Sequence, residues 1–312
     1  MFSTLAILLP IFGLIFAGYA CRRFNVLGPT AASELNRFVV WLALPAVLFK
    51  TLAHATWQTL YHPGFIAAFC LACAVVFVAV LVVRLVTGQR LADASIESIA
   101  ASYPNVAYVG LPLCMLVFGP SSLTFVMIVT IIVVCVLFGC AVVLIEMALQ
   151  AERRPHWLML KVLNQLMRNP LVVAPLAGAL VCALHLPVPK AAEEFLDLLG
   201  DAASPCALVS LGLFLAERRS QAKVHHDVWW LTGVRLFVQP ALTWFLAVYV
   251  FSLPLLLVKI AVLCAALPTG TGPYMLAEYY RREAHITSHM ILLSTVGSLV
   301  TLSLLLPYIQ HP

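Results

Sequence analysis

Long apolar stretches follow one another along this chain, separated by short polar connections. A helix needs about 20 mostly apolar residues to cross the hydrocarbon core of a bilayer. The pattern predicts ten such spans, near residues 3–21, 34–54, 64–86, 94–118, 122–147, 170–186, 195–216, 228–251, 255–280 and 286–309. The sequence therefore indicates an all-α integral membrane protein.

Proline and glycine interrupt two of these stretches. The interruptions are residues 103–112 (YPNVAYVGLP) in the fourth span and residues 267–274 (LPTGTGPY) in the ninth. Proline lacks a backbone donor and glycine weakens a helix, so we expect about seven extended residues in the fourth span, from Pro104 to Gly110. Inside a bilayer such backbone is tolerated only where it is buried in protein or lines a wet cavity. Paired interruptions of this kind are typical of a transporter's substrate site.

An internal repeat relates the two halves of the chain. An offset of 160 residues aligns Pro10 with Pro170, Gly18 with Gly178, Pro29 with Pro189 and Pro45 with Pro205, and an offset of 164 aligns Pro104 with Pro268. The pattern predicts five spans in residues 1–150, a short cytoplasmic linker in 151–168 and five spans in 169–312. Five is odd, so the second copy is inverted, and the broken fourth and ninth helices are expected to cross.

Composition and charge support a membrane protein with a defined orientation. The chain is 63% hydrophobic and 10% charged, with a mean hydropathy of +1.02, which excludes a single soluble core. Thirteen of the 18 Lys and Arg residues fall in loops after odd-numbered spans, whereas the other loops hold only Lys50, Lys190 and Lys259. By the positive-inside rule, odd-numbered loops are cytoplasmic and both termini are not. The formal charge of +5 therefore indicates orientation rather than nucleic-acid binding.

The two predicted breaks favour an anion site. Each break is followed by a half-helix whose N-terminus carries a partial positive charge and unpaired N–H donors. The candidate substrate contacts at these breaks are Pro104, Asn105, Tyr108, Gly110, Pro268, Thr269, Gly270 and Thr271. The alternative is that the prolines only kink packed helices.

Two charged residues are predicted to lie within spans. Arg235 is about nine residues into the eighth span, roughly 13 Å deep at 1.5 Å per residue. It could bind a substrate carboxylate, pair with Asp201 of the seventh span, or extend its side chain to the cytoplasmic interface. Asp201 is the candidate for proton coupling, with a structural partnership as the alternative. No cofactor or metal is expected, because His285 and His289 lack a third ligand, and no enzyme motif is found.

The interrupted stretches resemble the helix signatures of the auxin efflux carrier family, which includes the plant PIN-FORMED transporters and bacterial carriers of malonate or other carboxylates. Residues 103–112 resemble the fourth-helix signature, and residues 266–280 (ALPTGTGPYMLAEYY) resemble the ninth. Residues 35–49, 168–170 and 209–216 also match, so the resemblance covers nearly the whole chain.

The resemblance implies a ten-helix inverted-repeat carrier whose broken helices cross at Pro104 and Pro268. It implies a homodimer, a scaffold of helices one, two, six and seven, and Asn105 as a substrate-contacting amide. The chain lacks the long central loop of many plant members, which favours the bacterial branch and the cell inner membrane. Thr269 stands where plant proteins have a longer polar side chain, which argues against auxin itself.

The function expected from the sequence is secondary transport of a small organic anion, such as malonate, across the lipid bilayer. Coupling to protons or sodium is left open. The alternatives are an ion-coupled carrier of the bile-acid-symporter or antiporter type and a non-transporting membrane receptor.

Overall fold

Helices form most of the described part of the chain. The structure, a computed structural model, describes residues 2–55, 61–149, 164, 167–217 and 226–310. Within these ranges we number the helices α1 Phe2–Arg23, α2 Ala31–Ala53, α3 Pro63–Val86, α4 Leu91–Ser102, α5 Val106–Phe118, α6 Pro120–Leu149, α7 Pro170–Ala183, α8 Lys190–Leu215, α9 His226–Val250, α10 Leu255–Ala265, α11 Gly272–Tyr279 and α12 His285–Gln310. Most of the predicted linker, residues 151–168, lies outside the described residues.

Seven of the described helices are long and apolar enough to cross a membrane: α1, α2, α3, α6, α8, α9 and α12. Helices α5, α7 and α10 are apolar but shorter. Large apolar side chains on several of them, such as Phe16, Val78 and Val300, are exposed. In lipid such exposure costs little, because hydrocarbon tails are as apolar as the side chains.

Among the described helices, three contain a π turn shortly before a proline. The turns are Val39–Ala43 in α2, Val106–Gly110 in α5 and Val234–Val238 in α9, and each proline lies two residues beyond its turn. A proline ring clashes with the carbonyl four residues earlier and donates no hydrogen bond. The wider π turn gives the backbone room for the ring without ending the helix.

The fourth predicted span is broken over a shorter stretch than expected. The expectation of about seven extended residues is wrong, because residues 106–110 form the π turn of α5, and only Tyr103, Pro104 and Asn105 lie outside helices. Gly110 is therefore helical. In the ninth predicted span residues 266–271 separate α10 from α11, and Pro273 lies in the first turn of α11, where the fixed φ of proline suits a helix.

The chain divides into two compact units, each drawn from both halves of the sequence. Unit 1 comprises Met1–His62, Ala107–Ile128 and Met167–Arg218. Unit 2 comprises Pro63–Val106, Val129–Leu166 and Arg219–Pro312. Unit 1 thus contains α1, α2, α7, α8 and all of α5 except its first residue, Val106, which belongs to unit 2. Unit 2 contains α3, α4, α9, α10, α11 and α12, and the unit boundary divides α6 after Ile128.

Unit 1 is held by close helix pairs in which glycine allows backbones to touch. A Cβ at Gly18 of α1 would overlap the carbonyl oxygen of Val209 in α8. A Cβ at Gly178 of α7 would overlap the carbonyl oxygen of Phe49 in α2. Gly18 and Gly178 are 160 residues apart, and so are Phe49 and Val209. The same contact is therefore made twice, by positions related by the predicted repeat.

Unit 2 contains a buried ion cluster that joins α3, α4 and α9. Arg84 and Glu97 are only 4% and 5% exposed. The Arg84 guanidinium donates to Glu97 at 3.1 Å and pairs with Asp227 at 3.0 Å. Burying these charges is costly in isolation, so the pairing is what allows the three helices to pack here.

Candidate functional site

The two interrupted segments lie side by side within unit 2. Pro104 and Thr269 form an antiparallel β-bridge. The Asn105 N–H donates to the Pro268 carbonyl at 2.8 Å, and the Gly270 N–H donates to the Tyr103 carbonyl at 3.0 Å. The prediction that the breaks in the fourth and ninth spans meet is confirmed.

Thr269 is satisfied by its neighbours on two helices. Its N–H donates to the Ser294 hydroxyl of α12 at 3.0 Å, and its hydroxyl donates to the Ala100 carbonyl of α4 at 3.2 Å. Thr269 is fully buried. These bonds meet the requirement that backbone groups inside a membrane be paired within the protein, so Thr269 holds the crossing together.

The glycines of the ninth-span break accommodate the ring of Tyr103. A Cβ at Gly270 would lie 2.8 Å from two ring carbons of Tyr103, and a Cβ at Gly272 would lie 2.8 Å from its Cζ. The ring also meets Phe138 edge to face, with centroids 6.5 Å apart. Glycine is therefore required at both positions for the aromatic wall to lie against the backbone.

Asn105 carries an unpaired donor. The residue is 4% exposed, and its Nδ2 atom is buried without a hydrogen-bond partner in the described part of the chain. Leaving a buried amide unpaired costs about 1–3 kcal/mol. Asn105 directly precedes the N-terminus of α5, so the free donor lies where a helix already favours negative charge. An anion could pair with this donor.

Arg235 is fully buried, and it is hydrogen-bonded to the backbone where α10 ends and the ninth-span break begins. Its guanidinium donates to the carbonyls of Ala265 at 2.7 Å and Leu267 at 2.8 and 3.1 Å, and to the Gln239 side chain. Gln239 in turn donates to the Ser102 carbonyl at 3.2 Å. Two alternatives for Arg235 are therefore wrong. Its side chain is fully buried and does not extend to the interface, and it does not pair with Asp201, because none of its partners among the described residues is a carboxylate.

The structure places Asp201 in unit 1. Its side chain is exposed and lines a cavity of about 750 Å³ formed by α1, α2, α5, α6 and α8. The Lys50–Asp197 ion pair lies on the same cavity wall, and His54 contacts Glu193 at 2.9 Å. Asp201 is therefore exposed at a cavity instead of lying among packed helices.

Tyr108 and Gly110 also belong to unit 1. The Tyr108 hydroxyl donates to the Asn36 side chain of α2, and Tyr108 is 5% exposed. Gly110 ends the π turn of α5. Of the predicted contacts, the crossing itself brings together Pro104, Asn105, Pro268, Thr269 and Gly270, while Thr271 precedes α11 and is partly buried.

Sequence reasoning missed Gln239 and Ser294. A signal for Gln239 was present, because it follows Arg235 by four residues and so shares its helix face. Polar side chains within apolar spans are expensive, so both deserved consideration as internal hydrogen-bonding groups.

His285 and His289 stack, with ring centroids 4.1 Å apart. Among the described residues, no cluster of three or more His, Cys, Asp or Glu side chains is arranged to hold a metal ion.

Comparison with known proteins places the chain among transport proteins. The family described as "Membrane transport protein" matches residues 4–306. A Rhizobium meliloti (strain 1021) protein named "Putative malonate transporter" is 27% identical over 311 residues, 99% of this chain and 97% of its own length. A Methanothermobacter thermautotrophicus protein named "Uncharacterized transporter" is 26% identical over 93% of both chains. "Auxin efflux carrier component 8" of Arabidopsis thaliana is 30% identical over 48% of this chain and 41% of its own length.

Proposed function

This chain belongs to the membrane transport protein family that contains the auxin efflux carriers, and we propose that it is a secondary transporter of a small organic anion. The substrate class is a carboxylate such as malonate. The observation that carries the proposal is the buried, unpaired Nδ2 donor of Asn105 at the crossing of the two breaks.

The chemistry of the crossing favours a carboxylate. Asn105 offers a neutral donor, and the N-termini of α5 and α11 follow the two breaks. Donors and helix N-termini bind anions without requiring a full positive charge at the contact, so the substrate can also be released. The whole-length similarity to a protein named as a malonate transporter supports the same class.

We further propose that the chain is a ten-span carrier built from two inverted five-span repeats. The equivalent contacts of Gly18 with Val209 and of Gly178 with Phe49 support this arrangement, because positions related by one offset exchange partners. Broken helices at corresponding places in the two halves support alternating access around the crossing. The distribution of Lys and Arg supports an orientation with both termini outside the cytoplasm, and the absence of the long central loop of many plant members supports a bacterial inner membrane.

Transport into liposomes tests the proposal. Purified protein is reconstituted and assayed with labelled malonate, acetate and the uncharged analogue malonamide, each with and without imposed pH and sodium gradients. We expect saturable uptake of at least one carboxylate and no uptake of malonamide. Protein-free liposomes and protein carrying Asn105→Leu are the controls.

Two outcomes would contradict the proposal. Stoichiometric binding of carboxylate without saturable flux would indicate a receptor. Uptake of malonamide at the rate of malonate would show that negative charge is not what the crossing recognises.

A further inference from the structure

Four helix ends meet the two breaks, and they differ in electrostatic sign. Helices α4 and α10 end at the breaks, at Ser102 and Ala265, whereas α5 and α11 begin beyond them, at Val106 and Gly272. A helix C-terminus carries a partial negative charge of about half an elementary charge, and an N-terminus carries the equal positive charge. If no donor paired with the two negative ends, they would offset the two positive ends, and the crossing would have little preference for an anion.

One face of α9 covers both negative ends. Arg235 donates to the carbonyls of Ala265 and Leu267 at the end of α10, at 2.7 and 2.8 Å for its Nη2. Gln239, one turn later on α9, donates to the Ser102 carbonyl at the end of α4 at 3.2 Å. Both side chains are fully buried and bonded to each other.

We propose that Arg235 and Gln239 are positioning residues that determine the charge selectivity of the crossing without touching the substrate. They pair with the carbonyl ends of α10 and α4 and leave the positive ends of α5 and α11 to act on the solute. The inference rests on the proposed function, since it assumes that an anion binds at the crossing.

Arg235 also contributes a full positive charge to the interior of unit 2. Among the described residues its hydrogen-bond partners are two carbonyls and an amide, and no carboxylate neutralises it. A charge in a low-dielectric interior acts over several ångströms. Its effect on a bound ligand is proportional to the ligand's charge, so a dianion gains twice the free energy of a monoanion.

This proportionality gives a test that distinguishes an electrostatic role of Arg235 and Gln239 from a purely structural one. The ligands are malonate, a dianion at neutral pH, and its half-amide malonamate, a monoanion of the same size. Their apparent affinities are measured by competition against labelled malonate uptake in liposomes. If a variant weakens the positive electrostatic potential at the crossing, the apparent affinity for both ligands should fall. The fold-loss for malonate should be about the square of the fold-loss for malonamate, for example about tenfold against about threefold.

Three variants and a control make up the experiment. Gln239→Glu keeps the side-chain shape but places a negative charge beside Arg235, and it should show the squared relation. Arg235→Met should do the same, and Arg235→Lys, which keeps the charge, should leave the malonate-to-malonamate ratio unchanged. Thr243→Val is the control, because the Thr243 hydroxyl is equally buried but, within the described part of the chain, bonds only to the Gln239 carbonyl of its own helix at 2.8 Å.

The outcomes separate this inference from the proposed function. Two results would overturn the inference while transport by the wild type stands. The first is an equal fold-loss of apparent affinity for both ligands in Gln239→Glu. The second is an Arg235→Lys variant that is as impaired as Arg235→Met for both ligands. The second pattern would instead indicate direct contact between Arg235 and one carboxylate. A wild-type protein that neither transports nor binds these carboxylates would overturn the proposed substrate class and the inference together. If Arg235→Met does not fold, Gln239→Glu and Arg235→Lys decide the question.

Discussion

Pro104 and Thr269 face each other in an antiparallel bridge whose two hydrogen bonds come from their neighbours. Asn105 donates to Pro268, and Gly270 donates to Tyr103, so the bridge needs no N–H from Pro104 itself. The bridge therefore replaces hydrogen bonds that the two broken helices lack, and it does so without a donor from either proline. Membrane-embedded backbone requires such replacement, because no water is available to pair with it.

Replacing Asn105 by leucine should lower transport strongly without harming the fold. The substitution removes a buried donor that has no partner among the described residues, so we expect thermal stability to stay the same or rise. Uptake should fall by at least about tenfold, as expected when a bound charge loses a hydrogen bond worth about 1.5–3 kcal/mol. Initial uptake rates in liposomes and thermal unfolding in detergent measure the two effects.

Thr232→Val is the matched control for Asn105→Leu. The Thr232 hydroxyl oxygen is also buried without a partner in the described chain, but Thr232 lies on α9 and belongs to neither break. It should match Asn105→Leu in stability and retain uptake. Normal uptake by Asn105→Leu would remove Asn105 from the substrate site.

Gly270→Ala should disturb the crossing through Tyr103. The added methyl group would lie 2.8 Å from the Tyr103 ring, which is confined by the opposing backbone, so we expect a loss of about 1–3 kcal/mol in stability. A second substitution, Tyr103→Leu, should recover part of this loss by removing the clash. Thermal unfolding of the single and double variants measures the coupling.

Gly233→Ala provides the comparison for Gly270→Ala. Gly233 is helical, and a Cβ there would have no neighbour within 4 Å. Alanine favours a helix over glycine by about 1 kcal/mol, so this variant should be slightly stabilised. If Gly270→Ala behaved like Gly233→Ala, the close approach of Tyr103 would not be a packing constraint.

Arg84→Ala should be strongly destabilising. It would leave the Glu97 carboxylate buried without its guanidinium partner, and breaking a buried pair on one side costs about 3–5 kcal/mol. The double variant Arg84→Met with Glu97→Met should recover most of this loss, because no unpaired charge remains. Denaturation midpoints of the three proteins measure the effect.

Lys190→Ala is the exposed counterpart of Arg84→Ala. Lys190 and Glu194 are 3.9 Å apart, with side chains that are 89% and 67% exposed. Such a pair contributes about 0–1 kcal/mol, so the variant should unfold like the wild type. A similarly small effect of Arg84→Ala would mean that Glu97 has other compensation.

Gly18→Ala and Gly178→Ala should destabilise the protein to a similar extent. Each added methyl would overlap a backbone carbonyl oxygen of the facing helix, which cannot move aside without separating the pair, so we expect about 1–3 kcal/mol for each. Gly13→Ala is the control, since a Cβ at that helical position has no neighbour within 4 Å. A large effect at only one of Gly18 and Gly178 would argue against equivalent packing in the two repeats.

Several features of the fold were predictable from the chain. The apolar lengths located the helices, and the prolines and glycines located both interruptions, because these effects depend on residues close in sequence. The extent of the first interruption was not predictable, since residues 106–110 regain a helical path through a π turn. Whether a glycine-containing stretch stays helical depends on what packs around it, which local propensity does not describe.

The candidate site was predicted in location and only partly in composition. Pro104, Asn105 and Thr269 lie at the crossing as predicted, whereas Tyr108 bonds to Asn36 in unit 1. Tyr108 is only three residues from Asn105, but Asn105 lies outside the helices and Tyr108 lies in the π turn of α5, so helical spacing does not put the two side chains on one face. Proximity in sequence was therefore a poor guide to a shared site.

The sequence by itself determined that the chain spans a membrane, where its helices break and which residues stand at those breaks. Only the tertiary structure decided the partners of the polar groups: Arg235 with the carbonyls that end α10, Gln239 with the carbonyl that ends α4, and Asn105 Nδ2 without a partner among the described residues. The reason is physical. Helix breaking is a local property of proline and glycine, whereas a hydrogen bond between helices exists only where folding brings a donor on one face to an acceptor on another.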